Sequence, residues 1–294
     1  MKHKAGFVNI VGNPNVGKST LMNQLVGERI SIATFKAQTT RHRIMGIVNT
    51  DDMQIVFSDT PGVLKPNYKL QESMLAFSES ALADADVLLY VTDVVENPEK
   101  NMDFLEKVQK MTIPVLLLIN KIDESDQKQL GDIVEKWHSL LPNAEILPIS
   151  AKNKFGVDIL MKRIKELLPE SPAFFDKDQL TDKPARFFVS EIIREKILLY
   201  YDKEVPYSVE VVVERFKEDD RQIHINAVIY VERDSQKGII IGHQGTALKK
   251  VSTEARRTLE KFFDKHIYLE IFVKVDKDWR SSKKELDNFG YNPD

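Results

Sequence analysis

A glycine-rich segment near the start of the chain has the residue types and spacing of a phosphate-binding loop. Residues 12–19, GNPNVGKS, fit the pattern G-x-x-x-x-G-K-[ST] and follow an apolar run that predicts a strand. Glycines let backbone N–H groups converge on phosphate oxygens, and Lys18 would add a charge near the β- and γ-phosphates. The Ser19 hydroxyl would ligate Mg²⁺. The residues predicted to form this loop are Gly12, Asn13, Pro14, Asn15, Val16, Gly17, Lys18, Ser19 and Thr20.

A second motif, DTPG at 59–62, supplies groups that complete a magnesium and γ-phosphate site. Asp59 would hold Mg²⁺ through water, and the Gly62 N–H would meet the γ-phosphate and respond to its loss. Between the first helix and the second strand, Thr39 and Thr40 both offer a hydroxyl to the metal, and we favour Thr40. Lys18, Thr40 and Gly62 would position the reacting phosphate. The predicted metal ligands are Ser19, Thr40 and Asp59.

Two later motifs predict the base pocket. NKID at 120–123 offers the Asp123 carboxylate to the guanine N1–H and 2-amino groups, which adenine cannot supply, and its first two residues would brace the pocket. SAK at 150–152 offers the Ala151 N–H to guanine O6. Each motif alone is a weak signal, but their order favours GTP and GDP over ATP. The nucleotide-binding residues predicted outside the first loop are Asp59, Thr60, Pro61, Gly62, Val63, Asn120, Lys121, Asp123, Ser150, Ala151 and Lys152.

The elements that must position these motifs alternate through residues 1–168. Short β-branched runs, several apolar at consecutive positions, predict strands buried on both faces of a parallel sheet. The second and third runs are separated by too few residues for a crossover helix, so they predict one antiparallel hairpin strand. The fold class expected of this half is α/β, a mostly parallel, doubly wound sheet.

The second half has a different rhythm. Residues 169–184 contain three prolines and no clear period, which predicts a linker. Residues 185–294 then follow the order helix, two strands, two helices and a strand, with a C-terminal tail. This order predicts a small α+β domain.

A second glycine loop lies inside that domain, but it lacks the Lys-Ser pair of a nucleotide site. Gly242, His243, Gln244 and Gly245 form G-x-x-G after an isoleucine run, and RNA-binding KH domains use such a loop to clamp about four single-stranded nucleotides. The surrounding segment 237–284 carries 12 basic and 6 acidic residues, as a phosphate-binding surface should. An amphipathic helix with a solvated basic face is the alternative. The predicted RNA-binding residues are Ile239, Ile240, Ile241, Gly242, His243, Gln244, Gly245, Lys249, Lys250, Arg256 and Arg257, although at least one isoleucine could be a core residue only.

Composition excludes several other functions. The chain of 294 residues has no cysteine, which excludes disulfides, thiolate metal sites and cysteine nucleophiles and is typical of a reducing compartment. Its net charge of −3 argues against indiscriminate binding of polyanions. No apolar run approaches the roughly 18 residues of a membrane span, and the N-terminus lacks a secretory signal. We expect a cytoplasmic protein.

The motifs NPNVGKST, QTTRHR, DTPG, NKID and SAK resemble those of the Era branch of the translation-factor-related GTPases. The segments around VSEIIREKILLYY and the second glycine loop resemble the type II KH domain of the same family, so the resemblance covers nearly the whole chain. It implies a GTPase that binds small-subunit ribosomal RNA near its 3′ end and acts in assembly of the small ribosomal subunit. It also implies peripheral contact with the inner face of the cell membrane in some members. We expect a monomer.

One position departs from many GTPases. They place a glutamine after the DxxG glycine to orient the attacking water, whereas this chain has Val63. Basal hydrolysis should therefore be slow, and we assign no catalytic base. Asn15 occupies the position where some related GTPases help to coordinate K⁺, so K⁺ is a further expected cofactor with Asn15 as a ligand.

Two other classes of function compete with a GTPase switch. A constitutive RNA-binding module would keep the nucleotide domain only for stability, but it would not need the magnesium and γ-phosphate residues. A membrane or trafficking GTPase would carry a lipidation signal, which is absent from the sequence.

Overall fold

The structure, a computed structural model, describes residues 3–292. The first two and last two positions of the predicted domains lie outside the described residues. The main division between two compact units falls between Asp182 and Lys183.

The first unit is a six-stranded sheet covered by helices. Its strands are β1 (Lys4–Gly12), β2 (Ile44–Thr50), β3 (Met53–Asp59), β4 (Val87–Asp93), β5 (Val115–Asn120) and β6 (Glu145–Pro148). Its helices are α1 (Lys18–Val26), α2 (Lys69–Ala83), α3 (Met102–Gln109), α4 (Gln127–Leu140) and α5 (Val157–Leu167). Every residue of β3 and β4 is buried, so both faces of the sheet are covered. The α/β prediction is confirmed.

Sheet topology brings the predicted motifs to one edge. The strand order is β2-β3-β1-β4-β5-β6, and all neighbours are parallel except β2 and β3, which form the predicted antiparallel hairpin. Because the carboxyl ends of parallel strands lie at the same edge, the segments that follow β1, β3, β5 and β6 can meet there. The pairing of Ile10 with Asp59 places the third strand's last residue beside the start of the first glycine loop.

The segment predicted to be a linker is attached to the first unit for most of its length. The buried Gln54 side chain on β3 accepts the backbone N–H groups of Phe174 and Phe175 at 2.7 and 3.0 Å and donates to the Phe175 carbonyl at 2.8 Å. Further along, the Leu180 carbonyl accepts a backbone N–H of β2 at 2.8 Å. Residues up to Asp182 therefore form a strap along this unit rather than a free tether.

The second unit packs three helices against one face of a three-stranded sheet. It contains α6 (Ala185–Tyr200), β7 (Glu210–Glu218), β8 (Gln222–Val231), α7 (Asp234–Ile241), α8 (Thr246–Phe263), β9 (His266–Val275) and a short C-terminal α9 (Lys283–Asn288). Strands β7 and β8 are antiparallel, and β8 and β9 are parallel. The predicted α-β-β-α-α-β order is confirmed. Buried Trp279 anchors the segment after β9, since its indole N–H donates to the Ser208 carbonyl at 3.0 Å.

The strap should depend on Gln54. Replacing Gln54 by Ala removes the partner of three partly buried backbone groups of Phe174 and Phe175, and each such hydrogen bond contributes about 0.5–1.5 kcal/mol. We expect a Gln54→Ala variant to lose at least about 2 kcal/mol in urea unfolding of the first unit, with faster hydrogen exchange of both amides. Gln129→Ala on the exposed face of α4 is the control and should change neither quantity. Wild-type exchange rates at both amides in Gln54→Ala would contradict the strap.

Candidate functional site

The first glycine loop connects β1 to α1 and lines a cavity of about 370 Å³. Residues of the segment 33–40, together with Gly62 and Lys121, also line this cavity. Gly17 immediately precedes α1 with φ +96°, and a Cβ there would lie 2.2 Å from the Asn120 amide nitrogen. Only glycine fits this position, because both the backbone conformation and the close approach exclude a side chain.

Lys18 is buried and folded back on its own loop. Its ammonium group donates to the carbonyls of Gly12 and Asn13 at 3.1 and 2.8 Å. Burial lowers the pKa of Lys18 to about 8, although the nearby carboxylates Asp59 and Glu96 oppose the shift. A phosphate beside Lys18 would favour the charged form and restore a higher pKa.

Asp59, at the end of β3, collects hydroxyl groups. Its Oδ2 accepts from Ser31 at 2.6 Å and from Ser19 at 2.7 Å, and Thr40 lies at 3.4 Å. The Thr40 and Ser19 hydroxyls are 2.8 Å apart. Burial raises the pKa of Asp59, while these hydrogen bonds and Lys18 lower it. The other carboxylate oxygen, Oδ1, is buried without a hydrogen-bond partner. An oxygen cluster with one unsatisfied carboxylate atom fits a hard cation such as Mg²⁺.

The two candidate threonines have different surroundings. The Thr40 hydroxyl belongs to the Ser19–Asp59 group just described. The Thr39 hydroxyl instead contacts that of Thr34 at 2.6 Å and the Lys36 carbonyl at 2.6 Å, which closes a turn. The geometry therefore favours Thr40 as the metal-binding threonine.

The base-pocket motifs are brought together by side-chain bonds. Asn120 donates to the Val16 carbonyl at 2.8 Å and accepts the Ala151 N–H at 2.9 Å. The Ser150 hydroxyl donates to exposed Asp123 at 2.6 Å. The Ala151 N–H, predicted to meet guanine O6, already has a protein acceptor, so a base would have to share this donor. The Lys121 ammonium group pairs with Asp93 at 2.6 Å, and Lys152 is exposed.

The two residues for which the sequence predicted a bearing on hydrolysis differ in exposure: Val63 is buried and Asn15 is exposed. The Val63 side chain is buried in the core cluster beside α2, α3 and α4, and its N–H donates to the Gly12 carbonyl at 3.0 Å. It offers no group to a water molecule. Asn15 is exposed on the cavity lining with φ +68°.

Sequence reasoning missed a group of side chains behind the phosphate loop. The Asn13 amide bridges Glu96 and Asn101, and Asn101 also donates to the Val63 carbonyl at 3.1 Å. Burial raises the pKa of Glu96. These residues join the loop to the segment after β4. Their separation along the chain leaves no local pattern that would reveal the contact.

The second glycine loop lies between α7 and α8. Gly242 and Gly245 have φ of +73° and +75°, and a Cβ on Gly242 would lie 2.6 Å from the Cβ of Ala247. The two residues between them, His243 and Gln244, are exposed. The loop thus exposes its backbone and the side chains of His243 and Gln244 to solvent just before α8.

The isoleucines and basic residues near this loop divide into different roles. Ile240 is fully buried, so its role is in the core, whereas Ile239 is half exposed and Ile241 packs at the edge of the core. Lys249 ends the first turn of α8 and Lys250 begins the second; both are exposed, and the Lys250 ammonium lies 4.3 Å from the Tyr200 ring centroid.

Arg256 and Arg257 lie further from the loop than the sequence suggested. At 1.5 Å per residue they are about 17 and 18 Å along α8 from Gly245. Arg256 pairs with Glu260 at 2.7 Å and Arg257 with Glu254 at 2.9 Å. Both pairs are partly exposed, and such pairs are worth only about 0–1 kcal/mol, so a phosphate could replace either acid.

Fold and site together define the class of the protein: it is a P-loop GTPase with a C-terminal KH domain. Residues 7–121 match the family model of the 50S ribosome-binding GTPases, and residues 204–280 match that of the KH domain. The chain is 44% identical to GTPase Era of Clostridium kluyveri over 290 residues, which cover 98% of this chain and 99% of that protein. The chain belongs to the Era family.

Solved structures agree over the full length. A crystal structure of Era in complex with MgGDPNP and nucleotides 1506–1542 of 16S ribosomal RNA has a TM-score of 0.94 and 38% identity, covering 99% of this chain and 100% of that one. A variant of Aquifex aeolicus Era bound to GDP·AlF4⁻ gives the same TM-score of 0.94, identity of 38% and coverage of 99% and 100%.

The pKa of Lys18 generates a pH-dependent prediction. With a free-state pKa of about 8, Lys18 is charged below that pH, and binding a phosphate above it requires proton uptake. Affinity for GDP should therefore be constant between about pH 7 and 8, above the second phosphate pKa of about 6, and weaken above pH 8, approaching tenfold per pH unit. Titration calorimetry in buffers of different ionisation enthalpy would detect the proton uptake.

The Lys18→Ala variant is the control, since ionisation of the guanine base affects both proteins equally. This variant should bind GDP more weakly than wild type, and its affinity should not show the additional decrease that begins near pH 8. Equal pH slopes in wild type and Lys18→Ala would show that Lys18 does not titrate on binding.

Proposed function

We propose that this protein is a GTP-driven switch acting in assembly and maturation of the small ribosomal subunit. It binds GTP and GDP with Mg²⁺, hydrolyses GTP, and binds a single-stranded segment of small-subunit ribosomal RNA near its 3′ end. The observation that carries the switch is the Asp59 cluster. Ser19 from the phosphate loop and Thr40 from the opposite wall meet on one carboxylate whose second oxygen has no partner.

The cluster supports a role for each residue. Ser19 and Thr40 would ligate Mg²⁺, and Asp59 would hold a metal-bound water through Oδ1. Lys18 would leave its loop carbonyls for the β- and γ-phosphates, and the Gly62 N–H would meet the γ-phosphate. Magnesium supplies the positive charge that offsets the developing phosphate charge. Asp123, supported by Ser150, would select guanine.

The RNA-binding role rests on the second glycine loop together with the family. Gly242 and Gly245 keep side chains away from the turn, and exposed Lys249 follows on the first turn of α8. A related Era structure contains nucleotides 1506–1542 of 16S ribosomal RNA. We propose the equivalent RNA segment and the small subunit as the partners of this chain. We also propose domains at 1–168 and 185–294, with 169–184 between them.

The place of action that we propose is the cytoplasm, with the protein working as a monomer. No helix within residues 3–292 is long and apolar enough to cross a membrane. Peripheral contact with the inner face of the cell membrane rests on the family resemblance alone.

The RNA-binding proposal can be tested at the loop tip. A His243→Asp and Gln244→Asp double variant keeps both glycines and places two carboxylates where phosphates would approach. If each carboxylate costs about 1.4 kcal/mol, affinity for a single-stranded RNA of nucleotides 1506–1542 should fall about 100-fold. Fluorescence anisotropy at fixed salt measures this, and GTP binding should stay unchanged.

A matched control adds the same charge elsewhere. Gln127→Asp with Gln129→Asp introduces two carboxylates on α4 in the first unit and should leave RNA affinity within about twofold of wild type. Equal RNA affinity of the loop variant and this control would remove the KH loop from the proposed function.

Hydrolysis must proceed without a glutamine after Gly62. Because Val63 is buried in the core, another group must organise the attacking water, and we propose slow basal turnover with K⁺ as the supporting ion and Asn15 as its ligand. Asn15 is exposed on the cavity lining, where its side-chain carbonyl is available to a cation.

Turnover should therefore be faster in KCl than in NaCl at equal ionic strength, and the Asn15→Ala variant should lose this difference. Single-turnover phosphate release measures both rates, and exposed Asn153→Ala is the control. Equal wild-type rates in the two salts would contradict the K⁺ site.

A further inference from the structure

Asp59 has one hydroxyl partner that is not a predicted metal ligand. Its Oδ2 accepts from Ser31 at 2.6 Å, slightly closer than from Ser19 at 2.7 Å. Ser19 has a single hydroxyl proton, which it donates to Asp59, so the Thr40 hydroxyl at 2.8 Å donates to Ser19. The Thr40–Asp59 separation of 3.4 Å is long for a hydrogen bond between hydroxyl and carboxylate. Ser31 and Ser19 are therefore the two effective donors to Asp59.

Ser31 is held in place by α1. The Asn23 side chain on that helix accepts the N–H groups of Ile30 and Ser31, both at 3.0 Å, and donates to the Ser31 carbonyl at 2.8 Å. Ser31 is buried, with 1% of its surface exposed. Its backbone is thus fixed on both sides of the residue by one amide, and its hydroxyl has a defined direction.

Because of this anchoring, the position of Ser31 does not depend on the segment around Thr40, which would respond to the γ-phosphate. Thr40 would bind the metal only while the γ-phosphate holds its segment, as in other switch loops. Ser31 is tied to α1 and is not among the residues that line the cavity, so its bond to Asp59 would not need the γ-phosphate.

We infer that Ser31 is a positioning residue for the magnesium site. Its hydroxyl holds Oδ2 and leaves the unpartnered Oδ1 to accept a metal-bound water, an arrangement that would serve both the GTP and GDP states. A carboxylate has a broad terminal torsion, so a single donor from Ser19 would leave its orientation loose. Outer-shell partners of this kind typically change metal affinity by about 10–100-fold when removed. The inference rests on the proposed magnesium site.

The test is the Mg²⁺ dependence of nucleotide release from the full chain. A fluorescent GDP analogue is bound, and its release is followed at free Mg²⁺ from chelator alone to saturation. Ser31→Ala should raise the Mg²⁺ concentration at half-effect about tenfold, with the two plateau rates unchanged. Ser31→Thr keeps the hydroxyl and should retain the wild-type midpoint. Ser208→Ala removes another buried serine hydroxyl, in the second unit, and should have no effect.

Two results would overturn the inference. One is an unshifted midpoint in Ser31→Ala; the other is release that is faster by the same factor at every Mg²⁺ concentration, which would mean general support of the pocket. If Ser31→Ala does not fold, Ser31→Cys takes its place, because a thiol is a weak donor and should give an intermediate shift. An unshifted Cys midpoint would then overturn it. Wild-type release that ignores Mg²⁺ would instead refute the proposed magnesium site.

Discussion

The burial of the Asp59 carboxylate is the constraint on which the nucleotide site depends. Removing a carboxylate from water costs several kcal/mol, whereas each hydroxyl bond to a charged group returns only about 1.5–3 kcal/mol. Two effective donors do not fully offset burial, since the pKa of Asp59 stays raised, and one oxygen keeps no partner. A divalent cation beside this oxygen would offset the remaining cost of burial. Loading the site as proposed would therefore stabilise it and would couple metal and nucleotide to the packing of the surrounding segments.

Lys18 is a second buried ionisable group in the nucleotide site, with a charge opposite to that of Asp59. It is a buried cation beside a buried anion, and its bonds go to carbonyls of its own loop. Burial disfavours its charge, as the lowered pKa indicates. An incoming phosphate would relieve Lys18 while the metal relieves Asp59. The phosphates and the metal would thus each offset one of the two buried charges of the free protein.

The basic residues on α8, in the second unit, are at least partly exposed, in contrast to the buried charges of the nucleotide site. The glycine loop of this unit is open to solvent, and the arginines of α8 are paired with glutamates on the same helix. These exposed pairs are weak, so the cations remain available at little cost. An RNA bound as proposed would exchange phosphates for these acids along α8, whereas the nucleotide site has a fixed, buried geometry. In each unit the degree of burial decides whether the contacts are rigid or exchangeable.

Much of the architecture was predictable because its signals are local. Strand runs, helix periods and the motif at each strand end are contiguous in the chain, and parallel pairing then brings those ends to one edge. The Gly62 and Lys18 motifs could be recognised in this way. The element order of the C-terminal unit was predictable for the same reason, and its glycine loop could be recognised because G-x-x-G is a contiguous motif. The strap after residue 168 was not, because its partner Gln54 lies in a distant strand.

The sequence by itself determined the two units, the phosphate loop and the glycine loop of the KH domain, since each depends on residues close together in the chain. Only the tertiary structure showed that the hydroxyl of Thr40, and not that of Thr39, joins Ser19 and Asp59, that Val63 belongs to the core and that Ser31 bonds to Asp59. Ser31 and Asp59 are 28 positions apart. No periodicity encodes such a pair, because the contact exists only after β3 and the segment following α1 have packed against each other.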